Sequence, residues 1–333
     1  MMDLELNFNS TSSSTAVDSK IAPAVVLGFC CLVGLPSNIA VIISIARDWN
    51  TNLSFTLKLM LNLSVSDALS LCLAPFVLFA ILFGWKYGLW FCRILFFLGH
   101  WSLYVGVLTV TSMSVHRYHN VIKTRVANRM ILHRLERRHR HLQLICIWTL
   151  AFVFALPVWF TQELKDRDGF QRCQRTMSSQ SVGVTVLLLE ILLGFFIPFL
   201  IMLTCYLWLH KGLRQNSSLT RAPQEQESRN KGSNVRNYKK RLVINIVVAF
   251  FVFWTPVHIT NVIDIVIILT NPDDHSQLKF FRHVFGDTSK ALALLNCCLN
   301  PFLYVFISRN VIKCIKREHT KMTPKKICVT NCV

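Results

Sequence analysis

Charge is scarce in this chain. Asp, Glu, Lys and Arg together make up 16% of its 333 residues, where a soluble domain carries about 25%. Acids are the scarcest of all, with 17 Asp and Glu against 36 Lys and Arg. The chain also lacks a Gly-rich phosphate loop, Cys/His runs at metal-ligand spacing, and any self-similar half. These absences exclude a nucleotide-cradling loop and a zinc module. They also remove the sign of an inverted-repeat transporter. The apolar fraction, 53%, is instead gathered into long blocks that a soluble fold would not need.

A hydrocarbon layer of ~30 Å takes about 20 apolar residues in a helix. Ile21–Ala46, Ile94–Val115, Leu142–Gln162 and Ala291–Ser308 contain no charged residue. Leu59–Phe83 is broken only by Asp67, Thr176–Leu209 only by Glu190, and Leu242–Leu269 only by Asp264. Seven spans result. An acid at membrane depth is costly and faces the bundle interior. The first block has no basic leading region and exceeds the apolar core of a signal peptide, so it reads as a first helix.

The basic residues set the orientation. Two lie in the linker after the first span, eight in Arg117–Arg140, nine in Lys211–Arg241 and seven from Arg309 onward, all on one side. Ten of the 36 fall on the other side. The chain therefore reads as a multi-pass membrane protein with its N-terminus outside and its C-terminus cytoplasmic. The net charge of +19 then belongs to a face against anionic lipid and needs no nucleic acid.

That topology places Asn9-Ser10-Thr11 outside as a glycosylation acceptor, and puts the similar triplets at Asn52, Asn62 and Asn216 out of reach. Most of the 12 Cys lie in spans as small hydrophobes. Cys92 and Cys173 fall in the oxidising compartment and read as a disulfide, the alternative being two free thiols. Three regions follow: an extracellular segment, 1–20; a membrane domain, 21–308; and a cytoplasmic segment, 309–333. Arg309–Lys316 alternates basic and apolar residues, as a short helix on the membrane surface would, with Cys314 a candidate for palmitoylation. Glu163–Gln174 reads as a charged outer loop and His210–Lys240 as a long cytoplasmic loop. The expected fold is an all-α membrane protein, a seven-transmembrane-helix bundle with a short amphipathic helix after the seventh.

Each span carries a mark. The first has Gly34-Leu35-Pro36-Ser37-Asn38, the second Leu61-Asn62-Leu63-Ser64-Val65-Ser66-Asp67, and the third opens at Cys92 and closes on His116-Arg117-Tyr118. The fourth has Trp148 and Pro157, the fifth Pro198 and Tyr206, the sixth Phe250 and Phe253-Trp254-Thr255-Pro256, the seventh Asn300-Pro301-Phe302-Leu303-Tyr304. Seven marks in this order resemble the rhodopsin-like G-protein-coupled receptors. The resemblance implies a receptor, not an enzyme, and no cofactor. Its implied partners are a heterotrimeric G protein, membrane lipids, arrestin and an extracellular ligand. Arg117, Tyr118, Tyr206, Pro256, Asn300, Pro301 and Tyr304 are its implied coupling and activation residues. Pro198, Pro256 and Pro301 each remove a backbone hydrogen bond and give the helix a pivot. The resemblance also implies a sodium pocket at Asp67 and Asn300. The chain departs from the family twice: His116 replaces the acid before Arg117, and Gly106 and Cys297 replace two small hydroxyl residues of that pocket.

Glu190 eight residues before Pro198, the run Trp254-Thr255-Pro256-Val257-His258-Ile259-Thr260-Asn261, and Tyr104 in the third span resemble the leukotriene B4 receptors and their chemoattractant relatives. Those carry an Arg near the outer end of the fourth helix, where this chain has Gln162. The resemblance implies a hydroxylated fatty-acid mediator and an inhibitory-type G protein. Helix phase offers His100, Tyr104, Glu190, Trp254, His258, Asn261 and Lys290 as ligand-binding residues. Lys290, Arg93, Arg172 or Arg175 would supply a cation for the carboxylate. A peptide or other chemoattractant is the second reading, left open by Asp166, Asp168, Asp273 and Asp274 near the mouth. A transporter is the third.

Overall fold

A computed structural model describes residues 20–47, 55–123, 130–167, 169–218, 226–270 and 276–322, with side chains outside 120–140, 167, 209–246, 276, 283 and 303–322. Seven long helices succeed one another: α1 Lys20–Arg47, α2 Phe55–Phe83, α3 Gly88–Lys123 and α4 Met130–Thr161, α5 from Gln180 to Ser218, α6 Gln226–Leu269 and α7 Ser276–Met322. The stretches Lys20–Arg47, Phe55–Phe83, Gly88–His119, His141–Thr161, Gln180–Trp208 and Val247–Leu269 are long and apolar enough to cross a membrane. All six fall on blocks expected from sequence, and the seventh block lies within α7.

The polarity of the bundle is that of a protein dissolved in lipid. Leu32, Trp90, Phe160 and Trp208 face outward, while Asn38, Ser64, Ser66, Asp67, Thr109 and Asn300 are buried. With no water around the spans, each helix satisfies its own backbone and the polar side chains turn inward. The central element is α3, which packs on α2, α4, α5 and α6. Asn62 ties three helices together, donating to Thr109 Oγ1 at 2.7 Å and accepting from Trp148 Nε1 at 2.9 Å. A glycan on Asn62 is therefore excluded by packing.

Two helices contain a single π-turn, Cys30–Gly34 in α1 and Leu192–Phe196 in α5. Each lets a glycine approach a neighbouring helix. A Cβ on Gly34 would collide with Cys298 Sγ, and one on Gly194 would lie 3.2 Å from Tyr104 Cε1.

Three expectations change. The charged outer loop is a β-hairpin: β1 Gln162–Arg167 pairs antiparallel with β2 Phe170–Arg175, with Leu164 opposite Cys173. Gly169 at φ 76° makes its turn, and the Cys92–Cys173 disulfide pins β2 to α3 with Cα atoms 5.8 Å apart. The ladder satisfies backbone groups that an open loop would leave to solvent. The long linker between α5 and α6 is shorter than its polarity suggested, because α5 runs to Ser218 and α6 begins at Gln226. Finally, residues 309–322 are not a separate short helix but an uninterrupted part of α7. Neither Pro nor Gly follows Pro301 there to break it.

Candidate functional site

The bundle has two chemically different ends. At the disulfide end, the hairpin lies against α3 and delivers Arg175 to Glu190 of α5. Arg175 Nη1 donates to Glu190 Oε2 at 3.0 Å, and Nη2 donates to Oε1. Asn261 Nδ2 of α6 donates to the same carboxylate at 3.3 Å. Burial opposes the charge on Arg175, but Glu190 outweighs it and raises the guanidinium's pKa above its ordinary value. The acid at membrane depth is thus paired, as its cost requires.

Beneath this pair lies a stack of rings. His258 is stacked on Phe195 at 4.6 Å between centroids and on Trp254 at 5.8 Å. Trp254 in turn meets Phe250 at 5.5 Å, and Tyr104 sets its ring edge against Phe154 at 5.9 Å. His258 is buried, yet neither of its ring nitrogens has a hydrogen-bond partner. An unmet buried polar group costs about 1–3 kcal/mol, so this imidazole is unusual. His100 binds the Phe96 carbonyl through Nδ1 at 2.8 Å, and the charge of Glu190 reaches both His100 and His258.

The cations named from sequence have different commitments. Arg175 is bound to Glu190, and Arg93 Nε donates to the Gln162 carbonyl at 3.2 Å. Gln162 itself is 3% exposed and begins β1, so it does not end α4. Lys290 Nζ is 3.7 Å from Asp287 on its own helix, and its side chain is 56% exposed. Asp287, Arg282, Arg175 and Asp264 all act on its charge. Arg282 and Asp264 join α7 to α6 at 2.6 Å. His100, Tyr104, Glu190, Trp254, His258, Asn261 and Lys290 therefore converge on one end of the bundle. Sequence reasoning missed Phe195 and named Arg175 only as one of several cations.

Midway down, Asn300 Nδ2 donates to Asp67 Oδ2 at 2.7 Å. Asn38 reaches α7 by donating to the Cys297 carbonyl at 3.0 Å. At the far end of α3 are His116, Arg117 and Tyr118, with the His116 ring edge-on to Phe55 of α2 at 4.9 Å. Tyr206 lies on α5 and Pro256 within α6, and Pro301 is buried in α7. Tyr304 and Cys314 lie on α7 where only the backbone is described, and Asn9 lies outside the described residues.

A seven-helix bundle, stapled to a hairpin at one end and carrying His-Arg-Tyr at the other, defines a membrane receptor of the G-protein-coupled class. The chain matches the 7 transmembrane receptor (rhodopsin family) over residues 37–304, and it belongs to that family. The family comprises receptors, not enzymes, and its members are multi-pass plasma membrane proteins that couple an extracellular ligand to a G protein. Among similar curated proteins, C-C chemokine receptor type 7 of Homo sapiens is 27% identical, over 83% of this chain and 69% of its own. Chemerin-like receptor 2 of Mus musculus is 26% identical, over 84% and 73% respectively. G-protein coupled receptor E1 of Equine herpesvirus 2 is 28% identical, over 89% and 73%. The chain is thus a G-protein-coupled receptor of the rhodopsin family, similar to receptors named for a chemokine and for chemerin.

Proposed function

We propose that this receptor responds to leukotriene B4 or a closely related hydroxylated fatty acid, arriving at the disulfide end, which faces outside. The uneven spread of Lys and Arg supports that orientation. The observation that carries the ligand reading is His258, buried on an aromatic stack with both nitrogens unpartnered. A hydroxyl can donate to one such nitrogen or accept from the other. An apolar chain suits the ring walls of Phe195, Trp254 and Tyr104, and Lys290 suits a carboxylate. On this reading Arg117 and Tyr118, with Tyr206, Pro256, Asn300, Pro301 and Tyr304, carry the change to an inhibitory-type G protein, and arrestin binds the same face afterwards.

The names of the similar receptors favour a second reading, a peptide or protein chemoattractant. The two separate in one assay. Calcium release is measured in cells expressing the receptor, challenged with leukotriene B4 and with a panel of chemoattractant peptides, with and without toxin block of inhibitory-type G proteins. A toxin-sensitive response to the lipid, weakened by His258→Phe, is expected. A response to peptides alone refutes the lipid reading.

A further inference from the structure

The interior around Asp67 carries an inference that rests on membership of the receptor family and not on the ligand reading. A cavity there is lined by Asp67, Gly106, Asn296 and Cys297, and Trp254 and Phe250 lie on its α6 side. Relatives of this fold hold a sodium ion beside the acid of the second span, so the fit of these residues to such an ion can be tested.

A hard cation takes a shell of oxygen ligands, several of them from the protein. One oxygen of Asp67 is already occupied by the Asn300 amide. Asp67 Oδ1 and Asn296 Oδ1, the latter buried without a hydrogen-bond partner, are the hard oxygens this wall offers. The other two lining positions offer none. Gly106 has no side chain, and a Cβ built there would stand 3.8 Å from Asp67 Oδ1, 3.7 Å from Ser66 Oγ and 3.6 Å from Leu63 Cδ1. These are ordinary contacts, so the space for a hydroxymethyl group exists and its oxygen does not. Cys297 presents a thiol on the same cavity wall as Asp67, a soft donor suited to soft metals and not to an alkali ion. Ser66 donates to the Leu63 carbonyl at 2.9 Å. Ser70 and Ser102 are bonded to each other at 2.7 Å. Those hydroxyls do not line the cavity beside Asp67. The remaining set suits water, which needs two to four polar partners and no fixed shell.

We infer that this receptor does not use the sodium ion of its family: Gly106 and Cys297 have removed the hydroxyls that would complete its shell, leaving Asp67 in a water pocket. Restoring both oxygens restores the ion, because the space and the acid remain.

The test is thermal melting of the purified full-chain receptor in detergent, in sodium chloride and in N-methyl-D-glucamine chloride at equal ionic strength. No ligand is needed, so the outcome is independent of what the receptor binds. Wild type is expected to melt within about 1 °C in the two salts, and Gly106→Ser/Cys297→Ser to melt about 3–5 °C higher in sodium, a gain abolished by adding Asp67→Asn. If the double variant does not fold, Gly106→Ser alone should show a smaller gain of the same sign. A sodium-specific rise in wild type that Asp67→Asn removes overturns the inference. So does the absence of any sodium effect in every folded variant that includes Gly106→Ser, since the missing hydroxyls would then not be what excludes the ion.

Discussion

Replacing Arg175 by Ala should destabilise this receptor more than replacing Glu190 by Gln, and the two effects should not add. The ion pair has two hydrogen bonds, and its side chains are 22% and 12% exposed. Removing the guanidinium leaves a carboxylate at membrane depth with the Asn261 amide at 3.3 Å among its donors. Breaking a fully buried pair from one side costs about 3–5 kcal/mol, and the partial exposure here lowers that to about 2–4 kcal/mol. Glu190→Gln is gentler. Its amide oxygen still accepts from Arg175, and Arg175 sits on a hairpin from which it can turn to water, so about 1–2 kcal/mol is expected. In the double variant no charge is stranded, so it should lie above the sum of the singles by about 1–3 kcal/mol. Each kcal/mol moves the melting temperature by about 2–4 °C in domains of 150–250 residues. Arg175→Ala should therefore melt about 4–16 °C below wild type, with the double variant recovering part of the loss. Melting of purified receptor, read by thiol-reactive or intrinsic fluorescence, measures all four proteins. Additivity within about 0.5 kcal/mol, or an Arg175→Ala protein as stable as wild type, refutes the reading that Arg175 holds Glu190's charge.

Four further outcomes follow from the same geometry. His258→Phe keeps a ring on the stack and removes two unmet nitrogens, so thermal stability should be unchanged or raised by about 1 kcal/mol while lipid affinity falls, as saturation binding would show. Lys290→Ala should weaken binding of an acidic lipid by about 1.5–3 kcal/mol, the worth of a charge-assisted hydrogen bond, and leave a neutral ester of the same lipid unaffected. Arg117→Ala should keep ligand binding and abolish nucleotide exchange on the G protein at equal surface expression. His116→Asp should lower ligand-free nucleotide exchange, because an acid beside Arg117 restrains the resting state and about 1.4 kcal/mol shifts a two-state ratio tenfold. Equal basal rates in matched membranes would show the restraint supplied elsewhere.

The spans were legible because lipid imposes length and apolarity together, and neither can be traded away. The charge-free blocks fall within the observed helices, except that Gln162 at the end of the fourth begins β1. The marks within them were legible for the same reason: Asp67, Glu190 and Asn300 stand out against apolar runs, and each has a polar partner in the structure. What was not legible depends on contacts between distant segments. Asp168-Gly169 within Glu163–Gln174 is a turn dipeptide, but its flanks are mostly polar and charged and lack the apolar alternation that marks strands. The pairing is supported by Cys92, on α3, through the disulfide. The choice of Arg175 over Arg172 as Glu190's partner follows from the hairpin register, which places Arg175 opposite Gln162 at the base of the ladder and Arg172 toward its turn. Helix phase cannot supply that information.

Phase also failed inside α5, for a reason that can be traced to one residue. Counting about 100° per residue, Phe195 lies about 140° from Glu190, on a different face. The π-turn Leu192–Phe196 takes up one extra residue, so the true offset is closer to that of a residue four away, about 40°. This brings Phe195 under Glu190 and against His258. The turn ends where Ile197 N–H donates to the Leu192 carbonyl, five residues back, and the next residue is Pro198. Proline has no N–H and its ring crowds the carbonyl four residues earlier, here that of Gly194, so the preceding ladder loosens. In α1 the arrangement repeats: Leu35 N–H donates to the Cys30 carbonyl, and Pro36 follows. Proline alone does not suffice, because Pro75, Pro157, Pro256 and Pro301 sit in stretches assigned as α-helix. In α1 and α5 the turn itself contains a glycine, Gly34 or Gly194, and a neighbouring side chain presses against it, Cys298 or Tyr104. Proline frees the carbonyl, and glycine lets the loosened turn settle onto the next helix. The ring stack beneath Glu190 thus depends on a proline and a glycine four residues apart, neither of which belongs to the stack.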